Sequence, residues 1–296
     1  MTGSVQLVDT TLRDGEQAPG LAFSLQTRLT LAAALDQAGV AQLEIGCPAM
    51  GPQEVAGLKA IRKVCSRALV STWNRIRATD VTASLETGAE VIHLCLPVTA
   101  AHLERKLKKT WAELAGDLTE CLNLIQAQGA RVSVGLEDVS RATPLELARA
   151  ADLLQELAIS WVRLSDTVGI LTPGRVRSLV GFFVGRGFSV EFHGHNDLGL
   201  AAANTLTAAL AGAARLDTTL GGVGERAGNC GLRRLVALAG AELELGVSLA
   251  QATELEELAR PYYQARSAYV RGLLAAKAAG VESFFKIASI DSENKI

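Results

Sequence analysis

The chain has 296 residues, 49% hydrophobic and 20% charged, with a formal net charge of -2. This supplies apolar material for one large core and too little excess Lys and Arg for a general attraction to nucleic acid or an anionic membrane. Its five scattered cysteines include no CxxC pair, which argues against a disulfide framework or zinc knuckle and fits a reducing cytoplasm; neither a targeting segment nor a membrane span is expected.

Short apolar runs alternate with longer amphipathic segments, the pattern of repeated βα units. The first predicted strand, Val5–Val8, runs into a polar cluster, Arg13 to Gln17. Ser24 caps a helix over Leu25–Ala38 that Gly39 stops. Strands follow at Gln42–Gly46, Ala68–Thr72 and Val91–Leu96, and the basic run Arg105-Lys106-Leu107-Lys108-Lys109 falls in a helical pattern as a solvated face. After Gly129 come a strand at Arg131–Gly135, a helix opened by Thr143-Pro144, a strand at Trp161–Ser165 and a helix opened by Thr172-Pro173. Past Gly187, strands at Ser189–His193 and Arg215–Thr219 complete the set. Most are continuous apolar runs, as expected where both faces are covered. Eight such units in about 240 residues predict an α/β fold, a closed (β/α)8 TIM barrel over residues 1–246.

Residues 247–296 read as a C-terminal helical extension: Leu249 to Ala288 is helical in pattern, with Pro261 as an internal break. It serves either as a lid or dimer arm, or as a packing helix on the outer wall. Ser289–Ile296 is polar and expected to fray.

The chemistry lies at the strand ends, which in a barrel share one mouth. His193 and His195 are two apart, so both imidazoles of an extended strand end point to one face. Asp14 follows the first strand and Asn229 the eighth, neighbours once a barrel closes. An N2O2 set of this kind suits Mg2+, Mn2+ or Zn2+ with open positions, a Lewis acid rather than a structural plug. Arg13 is placed to hold a carboxylate or polarise a carbonyl. Gln17, Thr167 and Glu137 offer an amide, a hydroxyl and a carboxylate at the same mouth. Glu191 shares the parity of His193 and therefore faces inward, as a substrate contact or a support beneath the site.

Three motifs in order carry a resemblance: Asp9-Thr10-Thr11-Leu12-Arg13-Asp14-Gly15-Glu16-Gln17, His193-Gly194-His195-Asn196-Asp197, and Gly222-Val223-Gly224-Glu225-Arg226-Ala227-Gly228-Asn229. Over residues 5–245 the chain resembles the family of isopropylmalate, citramalate and homocitrate synthases, metal-dependent barrels. The segments Leu43 to Gly51, Glu137 to Arg141 and Asp166 to Gly169 look most like its homocitrate synthases of the nitrogen-fixation type.

The resemblance implies condensation of acetyl-CoA with a 2-oxo acid, 2-oxoglutarate first. Isopropylmalate or citramalate synthesis and a retro-aldol lyase of the same superfamily are the alternatives. It implies Asp14, His193, His195 and Asn229 as metal ligands, Arg13 and Glu137 as catalytic groups, and Arg13, Gln17, Thr167 and Glu191 as contacts to substrate.

The chain departs from the family in two places. The family's base is associated with a histidine beyond the barrel, and here the four histidines are His93, His102, His193 and His195. This implies a homodimer or a second subunit that supplies the base, or one of Tyr262, Tyr263 and Tyr269 acting with water. Ser133 stands where lysine-pathway homocitrate synthases carry an arginine for the far carboxylate, leaving Arg75 and Arg77 as candidates for that contact. The lyases carry a reactive cysteine near Gly222, where this chain has Val223.

Overall fold

The computed structural model describes residues 5–240 and 242–278, the side chains of residues 104, 106 and 264–278 excepted. The strands β1 (Gln6–Asp9), β2 (Gln42–Glu44), β3 (Leu69–Arg75), β4 (Val91–Pro97), β5 (Arg131–Glu137), β6 (Trp161–Asp166), β7 (Ser189–Gly194) and β8 (Arg215–Thr218) form one closed barrel in sequence order. Each pairs in parallel with the next, and β1 closes on β8 from Gln6 opposite Arg215 to Asp9 opposite Thr218.

The helices α1 (Leu25–Ala38), α2 (Pro52–Val64), α3 (Ala78–Glu86), α4 (Trp111–Ala127), α5 (Pro144–Glu156), α6 (Pro173–Gly185), α7 (Ala201–Leu210) and α8 (Leu232–Ala239) surround it. Their starts are written locally. Ser24 Oγ accepts from Thr27 N at 3.1 Å, and Thr143 and Glu146 form a reciprocal capping box ahead of Pro144. Thr172 is the N-cap of α6 without using its hydroxyl as a cap. The carboxylate of Asp166 instead takes the N–H groups of Ile170 and Leu171 just upstream, at 3.0 Å each.

Strands β3 and β5 run further than their apolar patterns suggest. Their last residues are polar yet still pair: Asn74 donates to the carbonyls of Thr72 and His93, which satisfies a buried amide at the end of β3. The main core is the layer between barrel and helices, where Leu7, Leu43, Val70, Leu94, Val162 and Phe192 are buried with Leu35, Leu58, Leu118 and Phe183 from the helices. The inward faces are not continuously apolar: Gln42, Glu44, His93, Ser133, Arg163, Glu191 and Asp217 are all buried there.

The ninth helix, α9 (Leu249–Ala278), packs on α1 and α8. Ala252, Leu255 and Ala259, one helical face, are buried in the main core. Over Leu249–Tyr263 it is thus a wall helix. Pro261 lies inside it and does not break it, because proline removes one N–H and the packing of the preceding turns keeps the axis in place. The expected helix beyond Ala278 and the end at Ser289–Ile296 lie outside the described residues. Among those described, no helix is long and apolar enough to cross a membrane.

One buried carboxylate ties α1 to the approach of β3. Asp36 accepts from the backbone N–H groups of Ser66, Arg67 and Ala68 at 3.1, 2.9 and 2.7 Å and from the Ser66 hydroxyl at 3.1 Å. Burial alone would raise its pKa, but the bonds from Ala68, Arg67 and Ser66 outweigh burial and hold it below the ordinary value. The stabilisation is therefore fully present above the unfolded-state pKa of about 3.9 and disappears as pH falls through the lower folded value. Asp36→Ala is expected to cost about 2–4 kcal/mol in urea unfolding at pH 7, with the gap to the parent protein narrowing below about pH 4.

Candidate active site and metal centre

The C-terminal ends of the strands bring the three motifs together. Asp14 lies just past β1, His193 near the end of β7 and His195 just beyond it, and all three are buried. Asp14 Oδ2 is 3.1 Å from His193 Nε2 and 3.8 Å from His195 Nε2, and the two Nε2 atoms are 3.4 Å apart. Those three atoms face one another at spacings close to the ~3 Å edges of a shell around a divalent cation.

Asn229 joins them from the loop after β8. Its Nδ2 donates to Asp14 Oδ1 and Val223 O, each at 3.0 Å, while Oδ1 is buried without a hydrogen-bond partner. A buried, unpartnered amide oxygen there fits a further ligand to a divalent cation. The donor set, two imidazole nitrogens, a carboxylate and an amide oxygen, fits a divalent metal.

The loop can reach because Gly228 takes a left-handed φ of +89°, and a Cβ there would meet Gly222 O at 2.1 Å. Asn196 N then bonds Gly228 O at 2.8 Å, and His195 and Asn229 form a bridge.

The electrostatics separate the two imidazoles. Burial lowers the pKa of His193, but hydrogen bonds to Asp14 and Asp217, with their charges, override it and raise the value to about 9. Burial and the neighbouring His193 charge bring His195 to about 4. Asp14 is held well below the ordinary carboxylate range because Arg13 first, then His193, outweigh its burial.

Arg13 donates from Nε to Glu44 and from Nη1 to Asp14 at 3.2 Å and Gln17 Oε1 at 3.4 Å, with the Trp73 ring 6.0 Å from its Cζ. Its Nη2 has no partner among the described residues, leaving one donor for a ligand. Gln17 is exposed beside it. Glu137 ends β5, half-buried, and accepts from Cys95 Sγ at 3.6 Å. Thr167 is half-buried after β6, and its hydroxyl accepts from Asp138 N at 2.8 Å.

Of the expected contacts, Glu191 and Arg75 are engaged elsewhere. Glu191 does face inward, but it is fully buried on Arg163 and Trp161 Nε1 beneath the mouth, so no substrate atom reaches it. Arg77 is exposed ahead of α3, and Arg75 gives its guanidinium to Asp80 at 2.7 and 3.0 Å. Tyr263 buries its hydroxyl, unpartnered, with its ring against Gly221 beneath α9, which removes it from the candidates for a base; the Tyr269 side chain lies outside the described residues. Ser133 stands within the barrel and shares a 2.8 Å hydrogen bond with His93 Nδ1. A Cβ at Gly135 would meet His93 Nε2 at 2.5 Å, so β5 must be bare there to admit the ring.

The floor of the site is built from residues outside the three motifs. Arg163, almost completely buried, bonds Glu191, lies 3.1 Å from Asp217 Oδ2, and is in ion-pair contact with Glu44 Oε2 at 2.7 Å. Glu44 also holds Arg13, and Asp217 accepts from His193 Nδ1 at 2.9 Å. By holding the Nδ1 proton, Asp217 would orient the ring so that Nε2, once it gives up its own proton to a bound metal, serves as the ligand. The available signal was three charged residues at inward parity inside apolar strands. Burial, opposed by Arg163 and reinforced by Asp217, leaves Glu191 with a raised pKa. Arg163→Met, which strands three carboxyl groups, is expected to cost about 3–5 kcal/mol in urea unfolding, whereas Glu191→Gln is expected to cost less because its partner cation keeps two other carboxylates.

The comparisons with known proteins agree with this geometry. A family model described as HMGL-like matches residues 4–260. A homocitrate synthase 1 of Nostoc sp. is 41% identical over 236 residues, 78% of this chain and 62% of that protein, so the chain spans less than two thirds of that relative's length. A homocitrate synthase subunit alpha of Clostridium pasteurianum is 36% identical over 233 residues, 78% of this chain and 87% of that one. The solved hydroxymethylglutaryl-CoA lyase of Pseudomonas aeruginosa superposes with a TM-score of 0.79 over 92% of this chain and 99% of its own, at 21% identity, a likeness of fold. With the model covering nearly all of the barrel and the metal-site geometry in place, the chain belongs to the HMGL-like family.

Proposed function

We propose that this chain is a divalent-metal-dependent acyltransferase that condenses acetyl-CoA with a 2-oxo acid, 2-oxoglutarate being the first acceptor to test. The observation that carries the reading is the convergence of Asp14, His193 and His195 beside Arg13. Residues 1–246 would be the catalytic barrel and 247–296 its helical extension, in a cytoplasmic protein.

Asp14, His193, His195 and Asn229 would hold the metal, Mg2+, Mn2+ or Zn2+, which when bound supplies Lewis acidity toward the 2-oxo carbonyl. Arg13, steadied by Glu44, offers Nη2 to the carboxylate of the acceptor, and Gln17 beside it offers an amide. Such donors stabilise the oxyanion that develops as a carbon nucleophile attacks. Thr167 supports the opposite rim.

A proton must leave the methyl group of acetyl-CoA. Glu137, half-buried at the end of β5, has no cation partner among the described residues, so it is the group offered to accept or relay that proton. Val223 is buried against Gly15, Ala18 and Leu21, which leaves no thiol at the lyase position.

A second reading follows from the relative named a subunit alpha: the chain forms the site with a partner, a second copy or a different subunit, that brings the base. Coenzyme A release by the purified chain with acetyl-CoA and Mn2+ separates the two, using 2-oxoglutarate, 2-oxoisovalerate, pyruvate or no acceptor. Release stimulated by one acceptor is expected and names the substrate. Silence with every acceptor, alongside intact Mn2+ binding, overturns the self-sufficient synthase. Asp14→Ala and His193→Ala are expected to abolish calorimetric Mn2+ binding, and Glu137→Gln to lower the rate by about 10²-fold or more while leaving metal affinity in place.

A further inference from the structure

Beside the proposed ligands, the HND and GERAGN motifs carry Asp197 and Arg226, which the structure joins. Arg226 Nε donates to Asp197 Oδ1 at 2.9 Å and Nη2 to Asp197 Oδ2 at 3.0 Å, a two-pronged pair. Nη2 also donates to the carbonyl of Thr167 at 2.7 Å, and Nη1 to Glu225 at 3.1 Å. One guanidinium therefore ties together the loops that follow β6, β7 and β8.

The seating is specific on each side. Arg226 holds a φ of +49°, a left-handed conformation that costs a side-chain-bearing residue energy and persists only where surroundings enforce it. The Asp197 carboxylate lies so close to Gly169 of the β6 loop that a Cβ there would meet Oδ2 at 2.2 Å. Asp197 is two residues past His195, and Arg226 is three before Asn229. The tie thus spans the outer edge of the strip where His195 and Asn229 bridge. It is partly open to solvent, with the two side chains 40% and 25% exposed, while the ligating groups beneath it are buried.

We propose that the Arg226–Asp197 pair is a latch that fixes the β8 loop over the two histidines, so that Arg226 is the positioning residue for Asn229. This rests on the metal-centre reading. An exposed ion pair adds little to global stability, so the latch acts on loop geometry: without it the β8 loop keeps the bond from Asn196 N to Gly228 O, that from Asn229 N to Gly222 O and the Asn229 amide bonds to Asp14 and Val223, but its outer edge is no longer fixed to the β6 and β7 loops, and the placement of Asn229 Oδ1 against Asp14, His193 and His195 loosens. The hydroxyl of Thr167 is steadied by the same contact, since its own carbonyl is the third anchor.

The sign of one substitution separates positioning from charge. Removing a cation near a cation site strengthens metal binding by electrostatics alone. Loss of affinity on removing Arg226 therefore reports lost geometry.

The test is Mn2+ titration calorimetry, with the thermal midpoint of the metal-free protein, on the parent chain, Arg226→Met, Arg226→Lys, Asp197→Asn and the double variant Arg226→Met/Asp197→Asn. The latch predicts that Arg226→Met weakens Mn2+ about 10–100-fold. It also predicts partial recovery in Arg226→Lys, a double variant no weaker than the worse single one, and metal-free midpoints within about 3 °C of the parent. Unchanged or tighter Mn2+ binding by Arg226→Met, or additive losses in the double variant, overturns the latch and leaves the metal centre standing. No Mn2+ binding by the parent chain overturns the metal centre and the latch with it. Because calorimetry needs no turnover, the outcome is independent of which acceptor, if any, supports coenzyme A release.

Discussion

A single buried cation organises the floor of this barrel. Arg163 rises from β6 into the space that bulky aliphatic side chains fill in most barrels and meets Glu44, Glu191 and Asp217, from β2, β7 and β8. Carboxylates removed from water are tolerable only when a cation and hydrogen bonds replace the solvent, so each of these side chains needs the guanidinium where it is. Two of them reach upward to working groups. Glu44 grips Arg13 and Asp217 grips Nδ1 of His193. The direction in which Arg13 and His193 point is therefore set one layer beneath the mouth, by strands that cannot shift without exposing charge.

Above that layer the site is assembled from loops, and loops need other means of being held. The β1 loop presents Asp14 on the same turn as Arg13, within reach of both histidines. The β8 loop folds back across the β7 loop through Gly228, the bond from Asn196 and the Asn229 amide. Arg226 closes the outer edge by a contact with Asp197 and Thr167. Rigid strands below and cross-tied loops above account for ligand atoms held close together.

The wall helix α9 extends this support from outside. Tyr262 stands edge-on to Phe23, and the Tyr263 ring lies against Gly221 where the β8 loop begins. Leu21, Ala18 and Val223 complete a small apolar cluster there. The loops bearing Asp14 and Asn229 are thus backed by aromatic rings from the segment that follows the barrel, and the helix continues through Pro261 because its apolar face is already anchored at Ala252, Leu255 and Ala259.

Much of this was legible in the chain. Alternation of apolar runs with capped amphipathic segments determined the eight-fold βα order, since hydrophobic period and cap chemistry are local properties. The ligand types at strand ends, with the two-residue spacing of His193 and His195, pointed to the cluster that the fold brings together. Position in depth was not local. Glu191 and Glu137 are both inward carboxylates by parity, yet one is sealed under Arg163 and the other stands at the mouth, because height in a barrel depends on the stagger between strands. Arg163, Glu44 and Asp217 interrupt otherwise apolar strands, and only closure of the barrel, which sets opposite charges from distant strands side by side in low dielectric, makes them one network. Likewise Glu191 carried the right chemistry for substrate, but burial took it from the mouth, and solvent access is a property that tertiary packing alone decides.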